Sequence, residues 1–197
     1  MPKYHDRVTL SVSAGASVLL AAALLTLPLS WVVAWAAAML AHELGHYYSL
    51  RLMRIPVHSV TVTHRGILME TGCLPPRAEL LAALAGPLGA LTLLTGARFF
   101  PELAVCACVH SLYNLLPVFP LDGGRALRCV LTKLPASVGE CVRQTVEWLV
   151  LLLGLTAGFW GTLFMKLGLL PLAGALCLFL RAECVKTPCK ERKLRVQ

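Results

Sequence analysis

Charge is what this chain has least of. Of its 197 residues only 14% are charged, while 57% are hydrophobic and the mean hydropathy is +0.72. An average soluble domain is about a quarter charged, so a soluble globular class is excluded before any motif is read. Residues 8–41 contain no charged side chain at all. A secretory leader also needs a cleavage site. Lys3 and Arg7 would suit its start, but no convincing site precedes the second apolar run, so the first helix is read as retained. The pair Cys184 and Cys189 has no matching second pair, which argues against a zinc ribbon. No internal repeat or long linker is evident.

Long uncharged runs remain. A helix needs about 20 apolar residues to cross the hydrocarbon core. Six spans are expected, near 8–27, 31–52, 79–97, 102–118, 142–161 and 162–181, with Pro28-Leu29-Ser30 turning the chain between the first two. The sixth is short, and Lys166 would have to snorkel to the interface. Lys and Arg favour the cytoplasmic side. The six-span arrangement puts 16 of the 18 basic residues on one side and leaves Arg98 and Lys166 on the other. Both termini are then cytoplasmic, in a bacterial cytoplasmic-type membrane. The net charge of +8 reads as topology and contact with anionic lipid, not as nucleic-acid binding.

The expected fold is an all-α polytopic membrane protein of six transmembrane helices. Residues 1–182 form the membrane domain and 183–197 a basic cytoplasmic tail. Between spans two and three, Val57-His58-Ser59-Val60-Thr61-Val62-Thr63 is rich in β-branched residues, and Ile67-Leu68-Met69-Glu70 can return after His64-Arg65-Gly66. A short β-hairpin at the membrane surface is expected there. Gly86 and Gly89 would let their helix pack closely on a neighbour.

The chemistry is concentrated in Ala41-His42-Glu43-Leu44-Gly45-His46-Tyr47. Residues four apart on a helix differ by about 40° of rotation, so His42 and His46 share one face, one turn apart. That is the spacing for gripping one metal ion. Glu43, rotated by about 100°, reaches the edge of the same place without ligating. H-E-x-x-H is the pattern of zinc peptidases, with the glutamate as general base. Hydrogen-bonded structural histidines are the alternative, but ionisable groups inside a span are costly and mark function. Gly45 leaves room for a backbone or a substrate.

A catalytic zinc site normally takes three protein ligands. Glu79, Glu102 and Glu147 fall at span ends, where snorkelling or capping accounts for them. His110 stands alone in span four, facing the site or packed as a structural histidine. Asp122 follows two helix-breaking prolines in Asn114-Leu115-Leu116-Pro117-Val118-Phe119-Pro120-Leu121-Asp122-Gly123-Gly124-Arg125. Irregular backbone at membrane depth is tolerated where it is buried in protein or lines a water-filled cavity. Asp122 is therefore the third-ligand candidate, and an N-cap role is physically compatible with it.

Three pieces, His42-Glu43-Leu44-Gly45-His46, Ala85-Gly86-Pro87 and Asn114 through Gly124, occur in the order found in the site-2 proteases, the M50 family of intramembrane zinc metalloproteases. The chain resembles that family over roughly residues 38–126, and within it the small stage IV sporulation protein FB type. The resemblance implies one zinc ion held by His42, His46 and Asp122. It makes Glu43 the base that activates water, and Asn114 a residue that positions substrate or polarises the scissile carbonyl. It also implies a zinc metalloendopeptidase acting in or next to a transmembrane segment of a regulatory membrane protein. A sporulation transcription-factor precursor is one such substrate, and an inhibitory membrane partner is a candidate regulator. An unwound substrate could add to the hairpin as a strand.

The chain departs from its relatives in four places. Neither a nucleotide-sensing CBS domain nor a PDZ domain is expected from these 197 residues, Ala90 replaces a frequent Asn, and His110 replaces a frequent amide. Two competing classes are a polytopic metal or ion transporter using the same polar cluster and a catalytically silent binder. A transporter calls for more ionisable groups along the spans than are found, and the intact His42, Glu43, His46 and Asp122 argue against a silent binder.

Overall fold

The computed structural model describes residues 9–63, 66–163 and 176. Most of the expected sixth span and all of the basic tail lie outside them. The chain divides into two compact units, Met1–Leu115 and Leu116–Gln197.

In the first unit a strand, β1 (Thr9–Val12), leads into helix α1 (Ala14–Thr26), then α2 (Leu29–Leu52). Strands β2 (Val57–Thr63) and β3 (Gly66–Thr71) follow, then helices α3 (Pro76–Leu91) and α4 (Pro101–Asn114). Pro28 stands immediately before α2, so the turn expected at Pro28-Leu29-Ser30 is present. Ser13 caps α1 by accepting from the Ala16 N–H. At the far end of α2, Arg54 takes a left-handed conformation with φ of 58°. The Ile55 N–H then reaches back to the Leu50 carbonyl and the Arg54 N–H to that of Arg51. That is the Schellman ending, and it turns the chain sharply into β2.

The expected first span differs from the structure. Residues 9–12 are not helical: they pair in parallel with β2, Thr9 opposite Ser59 and Val12 opposite Val62. The Ser11 hydroxyl donates to Thr61 Oγ1 at 3.0 Å across this pair. The remaining helix has 13 residues, about 20 Å at 1.5 Å per residue, against a hydrocarbon core of about 30 Å. The hairpin of β2 and β3 is present and antiparallel, with a bulge between Val57 and Ser59. It is part of a three-stranded sheet ordered β1-β2-β3. Both edges of β2 are therefore taken, and an added strand would have to use an outer edge of β1 or β3.

α2 packs against both α3 and α4. Small residues make the closeness available: Ala34 and Ala38 of α2 meet Cys106 and Ala107 of α4 in a buried cluster. A second cluster of Leu50, Val57 and Ala82 ties the end of α2 to the sheet and to α3. Ser111 is fully buried and donates to the Pro87 carbonyl at 3.1 Å, linking α4 to α3.

In the second unit, α5 (Asp122–Leu131) and α6 (Ala136–Leu163) pack together. The fifth span was expected to begin near 142, but α6 begins earlier and contains Glu140 and Arg143 in its first turns. α5 follows the proline-broken stretch and lies between the expected fourth and fifth spans. Among the described residues, Pro76–Gly96 and Ala136–Thr162 are long and apolar enough to cross a membrane. No residue of α1 is buried, and its Leu19, Leu20, Leu24 and Leu25 are exposed. An apolar surface of this kind is rare on soluble monomers and suits lipid.

Candidate metal centre

His42 is buried, 3% exposed, on α2. One turn on, His46 brings its Nε2 to 3.0 Å from Nε2 of His42. The other ring nitrogen of His46, Nδ1, is 2.7 Å from the Ala82 carbonyl oxygen of α3. A carbonyl only accepts, so Nδ1 carries the proton and Nε2 presents its lone pair towards His42. A ligating histidine is usually oriented by such a hydrogen bond from its other nitrogen. Two Zn–N bonds of about 2.0–2.1 Å at a tetrahedral angle put the nitrogens about 3.3 Å apart. The observed 3.0 Å separation is close to that, so the pair fits a shared zinc ion.

Glycines bring α3 this near. A Cβ on Gly45 would run into the Ala85 carbonyl, and one on Gly89 would lie 2.9 Å from the Ala41 carbonyl oxygen. The room at Gly45 is thus taken by the backbone of α3. A Cβ on Gly86 would collide with the imidazole of His46 itself, including its Cδ2 at 2.8 Å. The two substitutions should separate. Gly45→Ala pits a methyl against backbone and should destabilise the helix pair. Gly86→Ala pits it against a ring that can swing away, so the fold should persist while zinc affinity falls about 10–100-fold, the usual size for losing ligand orientation. A zinc competition titration on folded Gly86→Ala protein checks this.

His110 of α4 is part of the same cluster. Its ring stands edge-on to that of His42, with centroids 4.7 Å apart, and edge-on to Trp35 at 5.3 Å. Nothing local in the sequence distinguishes this from a structural histidine; the helix packing decides it. Glu43 is half-buried beside His42. Asn114 is the last residue of α4, and its Nδ2 donates to the His110 carbonyl at 2.9 Å. A side-chain amide has two N–H donors, so one remains for another acceptor.

In the second unit Asp122 is 6% exposed. It is the first residue of α5, with Leu121 in the cap position. The N-cap alternative is therefore not what the structure shows. Arg125, one turn on, places Nη1 3.7 Å from Asp122 Oδ1, a distance of weak pairing. As a donor set, two imidazoles and a carboxylate could hold a metal ion, and His42, His46 and Asp122 supply that set. Glu79 and Glu102 sit in the first turns of α3 and α4, where a carboxylate suits the helix dipole. Glu147, read as a span-end residue, is instead well inside α6.

A mostly helical, apolar fold carrying H-E-x-x-H with converging imidazoles is the arrangement a membrane-embedded metal site would need. Comparison narrows it. No protein-family model matches the chain. A zinc metalloprotease of Methanocaldococcus jannaschii is 29% identical over 137 residues, covering 58% of this chain and 39% of the relative. Rip3 of Mycobacterium tuberculosis, named as a candidate zinc metalloprotease, is 31% identical over 158 residues, 63% of this chain and 40% of the relative. The chain thus spans about two fifths of the length of these curated relatives. The solved site-2 protease from Methanocaldococcus jannaschii superposes with a TM-score of 0.63 at 19% identity, covering 93% of each chain. The chain is thus similar in sequence to zinc metalloproteases, and its fold is that of the solved site-2 protease.

Proposed function

We propose that the chain is an intramembrane zinc metalloendopeptidase, hydrolysing a peptide bond within or next to a transmembrane segment of a regulatory membrane protein. The observation that carries this is the convergence of the His42 and His46 Nε2 atoms, with His46 oriented by Ala82. One zinc ion would be held by His42, His46 and Asp122. When bound, zinc supplies Lewis acidity towards water and the scissile carbonyl. Glu43, half-buried on the same helix, takes a proton from the attacking water and returns it to the leaving amine. The uncommitted N–H of Asn114 donates to the oxygen on which charge develops. His42 is 3% exposed, and such burial limits bulk water and strengthens both effects.

A stable helix hides its peptide bonds, so the substrate unwinds locally, and an outer edge of the β-sheet is the place where the freed strand can pair. The topology that goes with this function is multi-pass with six spans and both termini cytoplasmic, supported by the distribution of basic residues. A membrane-associated transcription-factor precursor of the sporulation kind is one substrate class implied by the resemblance. The bilayer and an inhibitory membrane partner complete the set of partners.

The test is metal removal. Detergent-solubilised protein treated with a zinc chelator should lose cleavage of tagged membrane substrates and regain it when about one zinc per chain is restored. Cleavage that persists in metal-free protein would remove the metalloprotease reading.

A further inference from the structure

The segment Leu116–Leu121, which delivers Asp122, is poor in ways to hold itself. Pro117 and Pro120 have no N–H. The N–H groups of Val118 and Leu121 bond within the segment, to Leu116 and Val118 carbonyls at 2.7 and 2.9 Å. The Phe119 N–H instead donates to Glu147 Oε1 of α6 at 3.2 Å. Glu147 lies about three turns into α6 and its side chain is 12% exposed.

A carboxylate in that position is costly unless it is paired. It is paired: Arg143, one turn earlier, donates from Nη1 to Glu147 Oε2 at 2.6 Å. Arg143 is itself held from the other side by Glu140, which accepts from Nε at 2.9 Å. One oxygen of Glu147 thus faces the guanidinium and the other faces the Phe119 peptide. Two further contacts fix the same residue. The Phe119 ring lies under the Arg128 guanidinium at 5.9 Å. The backbone of Gly124 lies so close to the Val118–Phe119 peptide that a Cβ there would collide with it.

We infer that Glu147 is a positioning residue for the metal centre: clamped by Arg143, its carboxylate holds the Phe119 peptide and thereby sets where Asp122, three residues on, presents its carboxylate. This rests on Asp122 being a zinc ligand. Glu147 does not touch zinc or substrate; it acts through the segment. Its charge serves to keep the acceptor in place through Arg143, and its oxygen serves the peptide.

The variants separate these roles. Glu147→Gln keeps an acceptor oxygen for Phe119 and gives up the charge. Glu147→Leu gives up both. Zinc affinity, measured by competition on full-length solubilised protein, should fall about 10–100-fold in Glu147→Leu, as for loss of an outer-shell partner. It should fall by a smaller factor in Glu147→Gln, whose single oxygen can accept from Phe119 or from Arg143 but not from both. Hydrogen exchange of the peptide covering 116–124 should quicken in metal-free Glu147→Leu, a readout independent of zinc. If Glu147→Leu fails to fold, Glu147→Asp should show the same two changes, smaller, because it keeps the charge and loses reach. Wild-type zinc affinity and exchange in folded Glu147→Leu, beside an Asp122→Ala control that has lost zinc, overturn this inference alone. Undiminished zinc binding in Asp122→Ala overturns the ligand reading, and this inference with it.

Discussion

Replacing Glu43 with glutamine should abolish cleavage and leave zinc bound. Glutamine has nearly the shape of glutamate and fills the same half-buried place beside His42. It cannot take a proton from water at neutral pH. A positioned general base contributes about 10²–10⁴-fold to rate. Glu43 is asked to serve twice, first as base and then as acid, so the loss should sit at the upper end of that range. The proposed metal ligands are untouched. His42 stays buried on α2 and His46 keeps its bond to Ala82. Zinc per chain and turnover of a tagged membrane substrate, measured together on wild type and Glu43→Gln, decide the matter. Equal zinc with cleavage in the wild type only is the expected pair of results. Equal cleavage in both forms would remove Glu43 from the chemistry. Zinc in neither would remove the metal site.

Replacing His46 with alanine should lose both zinc and activity. His46 is held by its neighbours on α3. Its Nδ1 proton is committed to Ala82, its ring lies where Gly86 leaves space, and its Nε2 converges on that of His42. Alanine removes a ligand outright, so the affinity loss should exceed the 10–100-fold typical of outer-shell changes. Cleavage should fall to background because zinc no longer loads. Thermal stability of the metal-free protein should change little, since the ring makes polar contacts at the edge of the packing and α2 retains Ala34, Ala38 and Leu50 in its buried clusters. A His46→Ala protein that keeps wild-type zinc affinity would show that the pair is structural.

The histidine pair was legible because its signal is local. Four residues on a helix fix a face whatever the rest of the chain does. The β2–β3 hairpin was legible for the same reason: a β-branched run, a turn and a return strand lie next to each other. β1 was not. Thr9–Val12 lies inside an uncharged run that reads as a span, and its partner Ser59–Val62 is some fifty residues away. Strand pairing at that distance leaves no periodicity in either segment. The N-cap alternative for Asp122 would start α5 one residue later than the structure does. Gly123 and Gly124 lower helix propensity, but Gly124 is required where α5 meets the Val118–Phe119 peptide, and packing overrides propensity. Glu147 looked like a residue at a membrane edge because nothing near it in sequence discloses an acceptor role. Its donor is the Phe119 N–H, 28 residues earlier.

Composition and local spacing by themselves determined the membrane character of this chain, the face shared by His42 and His46, the hairpin and the candidacy of Asp122. Each depends on the residue type or on neighbours close by in sequence. Tertiary structure alone decided that Ala82 orients His46, that the backbone of α3 fills the space at Gly45, that His110 stands against His42 and that Glu147 holds the segment before Asp122. Those are contacts between elements distant in sequence, and a backbone carbonyl or N–H that serves as a partner carries no residue code. They exist only once the elements have packed.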